Sequence, residues 1–180
     1  MVYGRGFPRE VQFGSGLIDL GTDKNITALH WDAATPPGTA VEIRSRAGNE
    51  LELDITHHDK NGKVVSAARY DKLIPSFRGK IDTAFSAGAD WSAWSRIYSL
   101  SGEAFLSPSP RRYAQLDLRL ISNDPDVAPS ISALHLNVEN PIAIETRAEI
   151  FPAEVEPGRK KEFSYFVLPT FGGQSQGFDR

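Results

Sequence analysis

Cysteine is absent from this chain of 180 residues, which excludes disulfide cross-links and cysteine-ligated zinc sites. The fold must therefore depend on an apolar core, and hydrophobic residues make up an ordinary 40% of the sequence. No apolar run approaches the roughly 18 residues of a membrane helix, and the amino terminus lacks the apolar stretch of a signal peptide. We therefore expect no membrane insertion.

An excess of charge of either sign is also lacking, because the formal net charge is only −3 and both halves of the chain are nearly balanced. Without a basic face, nucleic acid and anionic membranes are poor candidate partners. The glycine-rich loops, nucleophile elbows and His-Glu-x-x-His motifs of common enzymes are missing too. These absences predict a protein that is not an enzyme and that has no cofactor.

Helical signals are scarce, since only the run from Val65 to Leu73 favours a helix and Pro75 would end it. Elsewhere short apolar runs alternate with Gly, Pro, Asn and Asp, which is typical of antiparallel β-structure. We therefore predict an all-β protein, an antiparallel β-sandwich with extra strands at its carboxyl end. The predicted strands are Glu10–Gly14, Leu17–Leu20, Ile26–Ala33, Ala40–Arg46, Leu51–Asp59, Lys63–Ser66, Ile81–Phe85, Ser95–Ser99, Arg112–Ile121, Ser130–Val138, Ala143–Phe151 and Lys161–Pro169.

Two predicted strands alternate cleanly between apolar and polar residues, as expected when one face packs on a second sheet. In the strand that contains Val41 and Ile43, the polar residues point the other way, and the strand that begins at Arg112 behaves similarly. The outward rows could bind a ligand, or they could simply meet water. The candidate ligand-binding residues on these rows are Arg44, Arg46, Tyr113, Gln115, Asp117 and Arg119.

Two regions stand apart from a simple sandwich. The region Leu51–Phe85 is longer than such a module needs, and Asn61-Gly62 within it predicts a type I′ hairpin, because both residues tolerate a positive φ. Residues 140–180 resemble the opening strands of another β unit. We therefore predict a sandwich module over residues 1–139, followed by strands that either begin a further domain of a longer protein or pack back on the sandwich.

The box Trp91-Ser92-Ala93-Trp94-Ser95 resembles the Trp-Ser-x-Trp-Ser box of type I cytokine receptors and thrombospondin repeats, in which arginine side chains stack between the tryptophan faces. Both families depend on disulfides, so the lack of cysteine argues against kinship. The two tryptophans could form a platform for sugar stacking. At i and i+3 in an extended segment, however, the two rings would point to different sides. We favour a structural role instead, because large aromatic side chains dominate the energetics of cores.

Metal binding is a weaker interpretation of two further clusters. His57 and His58 are adjacent in a predicted strand, so their side chains should lie on opposite faces and cannot easily share one ion. The oxygens of Asn123, Asp124 and Asp126 could hold calcium, although a turn stabilised by side-chain hydrogen bonds explains these residues equally well. We therefore predict no metal site and keep calcium as the alternative.

A wider resemblance covers about residues 13–138. Its pieces are Leu17–Gly21, Leu29-His30-Trp31, Pro37–Gly48, Asp90–Trp94, Pro108–Leu120, Asn123-Asp124-Pro125 and Pro129-Ser130-Ile131. In this order they resemble the galactose-binding-like modules, discoidin-like jelly rolls, of bacterial multidomain exported proteins. The resemblance implies an extracellular or cell-surface binding module for carbohydrate or another polymer. The alternative is a spacer or docking domain of a surface assembly that contacts neighbouring protein domains.

Overall fold

The structure is a computed structural model that describes residues 6–172, and these form two units, one ending at Glu139 and the other beginning at Asn140. The strands are β1 (Glu10–Gly14), β2 (Ile18–Ala34), β3 (Thr39–Gly48), β4 (Leu51–Asp59), β5 (Val64–Val65), β6 (Arg78–Ala87), β7 (Glu103–Ala104), β8 (Arg111–Ser122), β9 (Ser130–Glu139), β10 (Ala143–Phe151) and β11 (Ser164–Phe171). One short helix, α1 (Ala67–Lys72), precedes a 3-10 turn at Pro75–Phe77. The prediction of an all-β antiparallel sandwich is confirmed.

The first unit is a sandwich whose two sheets share one long strand. In one sheet, the whole of β3 pairs with one edge of β8. The other edge of β8 pairs with β1 and with the start of β2. The rest of β2 pairs with β9 and β7. The two strands predicted at Leu17–Leu20 and Ile26–Ala33 are therefore one strand. It is irregular between Asp19 and Lys24, where Gly21 adopts a φ of +82°.

The core lies between these sheets and follows the alternation of the sequence. Leu29 of β2, Ile43 of β3, Leu116 of β8 and Tyr98 are buried together. Trp31, which the sequence places mid-strand, packs against this cluster, with its ring meeting that of Tyr98 edge to face at 6.2 Å. Large aromatic side chains of this kind contribute strongly to the stability of a core.

A buried hydroxyl network crosses the same core. The Ser45 hydroxyl lies 2.8 Å from the Tyr98 hydroxyl and 2.7 Å from that of Ser107. The Tyr98 oxygen also accepts a hydrogen bond from the Leu106 backbone N–H at 3.0 Å. Burial raises the pKa of Tyr98, because the phenolate would lose its hydration there. These hydrogen bonds satisfy polar groups that would otherwise destabilise the core.

The long predicted insertion is a small sheet of its own, which we call the arm (residues 51–87). Its strand order is β5-β4-β6, and α1 packs on β4, where the His57 and Tyr70 rings lie 4.8 Å apart. One face of the arm is largely apolar, since Leu53 lies opposite Phe85, and Ile55 and Ile81 follow on the same face. The large exposed apolar side chains of this face are Leu53, Ile55, Ile81 and Phe85.

The turn of the arm differs from the predicted type. The hairpin at Asn61-Gly62 forms, but only Gly62 has a positive φ, and no other described residue apart from glycines has one. A type I′ turn needs two such residues, so that prediction is wrong. The Asp59 carboxylate accepts hydrogen bonds from the backbone N–H groups of Asn61 and Lys63 at 2.9 and 3.0 Å, which stabilises the observed turn instead.

The second unit is the antiparallel hairpin of β10 and β11, with Ile150 opposite Tyr165 and Arg147 opposite Leu168. Exposed large apolar side chains lie on both of its faces, as Tyr165 and Phe166 are adjacent in β11. That this hairpin opens a further β domain stays a prediction. Within the described residues, no helix is long and apolar enough to cross a membrane.

Candidate functional site

The strands β3 and β8 bring the predicted ligand-binding residues together. Arg44 lies opposite Asp117 and Arg46 opposite Gln115, so their side chains share the outer face of the sheet. Residues 91–98 continue this face on the far side of β3. We call this surface the ladder face, and its residues are Arg44, Arg46, Trp91, Trp94, Gln115 and Asp117.

Residues 91–98 run beside β3 without forming a strand. Three backbone hydrogen bonds of 2.8–3.0 Å use every third residue of the segment, and they join Ser92 N–H to Ala47 O, Ser95 N–H to Ser45 O and Tyr98 N–H to Ile43 O. Each step of three residues therefore matches a step of two residues in β3. The segment is less extended than a strand, and residues i and i+3 return to the same side.

This three-residue repeat corrects two predictions. No strand forms at Ser95–Ser99, because the serine hydroxyls take over part of the strand pairing. The hydroxyls of Ser92 and Ser95 accept hydrogen bonds from the backbone N–H groups of Ala47 and Ser45 at 3.2 and 3.0 Å. The prediction that the two tryptophans point to different sides is also wrong, since it assumed the two-residue repeat of a strand.

Trp91 and Trp94 hold the Arg46 guanidinium between them. The central guanidinium carbon lies 5.3 Å from the centroid of Trp91 and 4.7 Å from that of Trp94, within the range of cation–π attraction. The Arg46 Nε also donates a hydrogen bond to the Gln115 side-chain oxygen at 2.8 Å. Such contacts on both sides immobilise a side chain that is otherwise among the most flexible.

Trp91 is also held by contacts with the backbone of Gly48 and Glu50. Its indole Nε1 donates a hydrogen bond to the Glu50 carbonyl at 2.6 Å, and its ring lies directly on the backbone of Gly48. A β-carbon at position 48 would come within 2.7 Å of three atoms of this ring. Glycine is therefore required there for the close approach of the indole. Trp94, by contrast, remains 40% exposed at the surface of the ladder face.

An arginine-tryptophan stack of the kind that accompanies the Trp-Ser-x-Trp-Ser box in other families is thus present in a chain without cysteine. The hydrogen bonds to β3 position the tryptophans here. Comparison of the chain with known protein families, with curated proteins and with solved structures finds no match. The interpretation of this stack therefore depends only on the contacts that the structure shows.

The two ends of the predicted row differ from its middle. Arg119 donates to Glu10 at 2.6 Å and to Glu42 at 3.0 Å, and these carboxylates raise the pKa of its guanidinium. At the other end, Tyr113 is only 9% exposed, with the Arg112 guanidinium 4.9 Å from its ring. Tyr113 therefore offers little surface to a ligand, although its strand position places it on the outward row.

In the middle of the row, polar groups remain available. The Asp117 Oδ1 accepts a hydrogen bond from the Gln12 side chain at 2.6 Å, whereas the structure has no ion pair between this carboxylate and Arg44, which lies opposite. Gln115 uses its oxygen for Arg46, so its amide hydrogens can still be donated. The ladder face thus combines a half-exposed indole from segment 91–98 with a positioned guanidinium and free hydrogen-bonding capacity on β3 and β8.

The histidine pair behaves as its alternation predicts. The His57 ring contacts Tyr70, whereas the His58 Nε2 lies 2.9 Å from the Asp82 carboxylate on the other face of the arm. Lys80 donates to the same carboxylate, and the contacts with Lys80 and, to a smaller extent, with His58 lower the pKa of Asp82. His58, Lys80 and Asp82 are therefore interaction partners of one another on the surface of the arm.

The acidic turn after β8 has the form of an Asx turn. The Asp124 Oδ1 accepts a hydrogen bond from the Asp126 backbone N–H at 2.9 Å, and the Ser122 hydroxyl lies between the Asp124 and Val127 carbonyls. Across the residues that the structure describes, no group of three or more His, Cys, Asp or Glu side chains is arranged to hold a metal ion.

The alternation of the strands predicted both outward rows, but it did not place the two tryptophans beside them. The missed signal was the repeat of three residues in Trp91, Trp94 and the serines that follow each of them. Read with a period of three, this pattern places both indoles on one side, next to the arginines of a neighbouring strand.

Proposed function

We propose that this chain is a non-catalytic module that binds a polysaccharide or a similar extended polymer through the ladder face. The observation that carries the proposal is the half-exposed Trp94 ring, held beside Arg46 and Gln115. An indole face suits the apolar face of a sugar ring, and the guanidinium and amide groups can donate hydrogen bonds to hydroxyls.

The geometry favours an extended ligand over a small one. Side chains of one face repeat about every 7 Å along a strand and about every 5 Å between strands, so they form rows rather than an enclosed pocket. Because the stack already immobilises Trp94 and Arg46, little conformational entropy would be lost on binding. These features agree with the resemblance to galactose-binding-like modules of exported or cell-surface proteins, which we retain as part of the proposal.

The test is a glycan-array screen of the purified chain, followed by titration of each hit. We expect saturable binding that the Trp94→Ala variant loses. Removing a fully buried aromatic ring lowers the free energy of unfolding by about 3–5 kcal/mol. Because the Trp94 ring is 40% exposed, its removal should lower this free energy by less, and the variant should fold.

Phe77 of the arm provides a matched control. It is 43% exposed and also carries a stacked cation, with the Lys60 Nζ 3.7 Å from its ring. The Phe77→Ala variant should bind each hit as the unchanged chain does. A blank array, or equal loss of binding in both variants, would remove the ladder face from consideration.

A second candidate function is supported by the apolar face of the arm. Leu53, Ile55, Ile81 and Phe85 leave roughly half or more of their surface exposed on that face, and exposed apolar patches mark sites of protein association. On this proposal the chain is a structural or docking domain within a larger assembly. A stable interface buries about 800 Å² per partner, so the arm would supply only part of one.

A second copy of the chain is the occupant that can be tested directly. We expect the molar mass measured by light scattering to rise with concentration, and the Phe85→Glu variant to remain monomeric. Thr56→Glu is the control, because position 56 lies on the polar face of the arm opposite Asp82. A chain that stays monomeric at millimolar concentration would exclude self-association through the arm.

A further inference from the structure

Arg44 differs from the other arginines of the outward rows. Arg46 is enclosed by two indoles and Gln115, and Arg119 lies between two carboxylates. The Nε of Arg44 is buried without a hydrogen-bond partner, and within residues 6–172 its guanidinium has no ion-pair partner either. Asp117, which lies directly opposite, is bonded to Gln12 instead.

The unpaired guanidinium lies next to the aromatic stack. Arg44 and Arg46 project from the same face of β3, two residues and about 7 Å apart. Ser45, between them, is the residue to which Ser95 is hydrogen-bonded, so Trp94 flanks this part of β3. A ligand lying over the Trp94 ring would therefore have a free cation within reach.

We infer that the ligand of the ladder face is an acidic polysaccharide, whose sugar carboxylate pairs with Arg44 while a sugar ring stacks on Trp94. This inference rests on the proposed function and specifies its ligand class. The planar guanidinium matches a carboxylate through two parallel N–H···O bonds, which a hydroxyl cannot reproduce. A uronic acid residue combines such a carboxylate with the apolar ring face that an indole contacts.

The charge of the chain makes the assignment specific. With a formal net charge of −3, the protein does not attract polyanions in general. Retention of an acidic polymer would therefore have to come from a local cation. On the outward rows Arg44 is the cation left for a ligand, because Arg119 is paired with both Glu10 and Glu42. The Arg46 guanidinium is already enclosed by the two indoles and Gln115.

The experiment is affinity electrophoresis of the full chain in gels that contain polygalacturonate, alginate or hyaluronan. Matched gels contain fully methyl-esterified polygalacturonate, which keeps the sugar backbone and lacks the charge. We expect binding to at least one carboxylated polymer to be about tenfold tighter than to any neutral one, the effect of one charge-assisted pair. Arg44→Gln should abolish this difference, and thermal melts should show that the variant folds.

Arg119→Gln is the control, because it removes a cation of the same face that is already paired. It should retain the preference for carboxylated polymers. If the chain binds neutral polysaccharides only, the inference is overturned while the proposed function stands. If it binds neither class, both are overturned. If Arg44→Gln still prefers the carboxylated polymers, the inference is wrong, because the acidic ligand is held elsewhere.

Discussion

The close contact between Gly48 and Trp91 makes the strongest prediction about stability. In the Gly48→Ala variant the new methyl group would lie within 2.7 Å of three indole atoms, so the ring must move. The displaced ring would lose its 2.6 Å hydrogen bond to the Glu50 carbonyl and part of its contact with Arg46. The backbone itself tolerates alanine, since Gly48 does not have a positive φ.

The magnitude follows from these separate effects. Overpacking costs about 1–3 kcal/mol, and the lost hydrogen bond and cation–π contact cost about 0.5–1.5 kcal/mol each. Alanine offsets about 0.5–1 kcal/mol of this, because it loses less backbone entropy than glycine does in a strand. We therefore expect the free energy of unfolding to fall by about 1–5 kcal/mol in urea titrations.

Two comparisons isolate the cause. Gly14→Ala is the matched control, because Gly14 also lies in a strand of this sheet but has nothing within 4 Å of the added methyl group. It should leave stability unchanged or slightly higher. In a Trp91→Ala background, Gly48→Ala should cost nothing further, since the obstacle is gone. Equal effects of Gly48→Ala with and without the indole would refute the reasoning.

Three further predictions concern the rest of the first unit. Tyr98→Phe should lower the free energy of unfolding by about 1–3 kcal/mol in urea titrations, because Ser45 and a backbone N–H lose a buried partner. Because burial raises the pKa of Tyr98 above its unfolded value, stability should fall as the pH rises past about 10, and Tyr98→Phe should reduce that fall. Ser66→Ala removes the side-chain cap of α1, so amide exchange in that helix should speed up by an amount equivalent to about 0.5–2 kcal/mol.

Much of the fold could be predicted because its signals are local. A strand repeats every two residues, so the alternation in Val41–Arg46 and Arg112–Ile121 placed these strands and their faces correctly. The Gly, Pro, Asn and Asp residues between the apolar runs likewise predicted where most strands end, because turn signals are also local. The segment 91–98 could not be predicted this way, because its repeat of three depends on hydrogen bonds from a strand more than forty residues away.

The candidate site was predictable only in part. The sequence placed Arg44, Arg46, Gln115 and Asp117 on outward rows, and their positions in the structure agree with that placement. It could not show that Tyr113 would be buried. The position of Tyr113 between β2 and β3, opposite Asp19 and Gly48, is set by strand pairing, which alternation along one strand does not describe.

By itself, then, the sequence determined the all-β class, the dependence on an apolar core and the outward rows, because periodicity and composition act through local geometry. Only the tertiary structure decided which of these polar side chains are still free. Whether Arg119 is paired and Arg44 is not depends on which strands become neighbours and on which carboxylate lies closer. These pairings join residues far apart in the chain, and no local pattern encodes them.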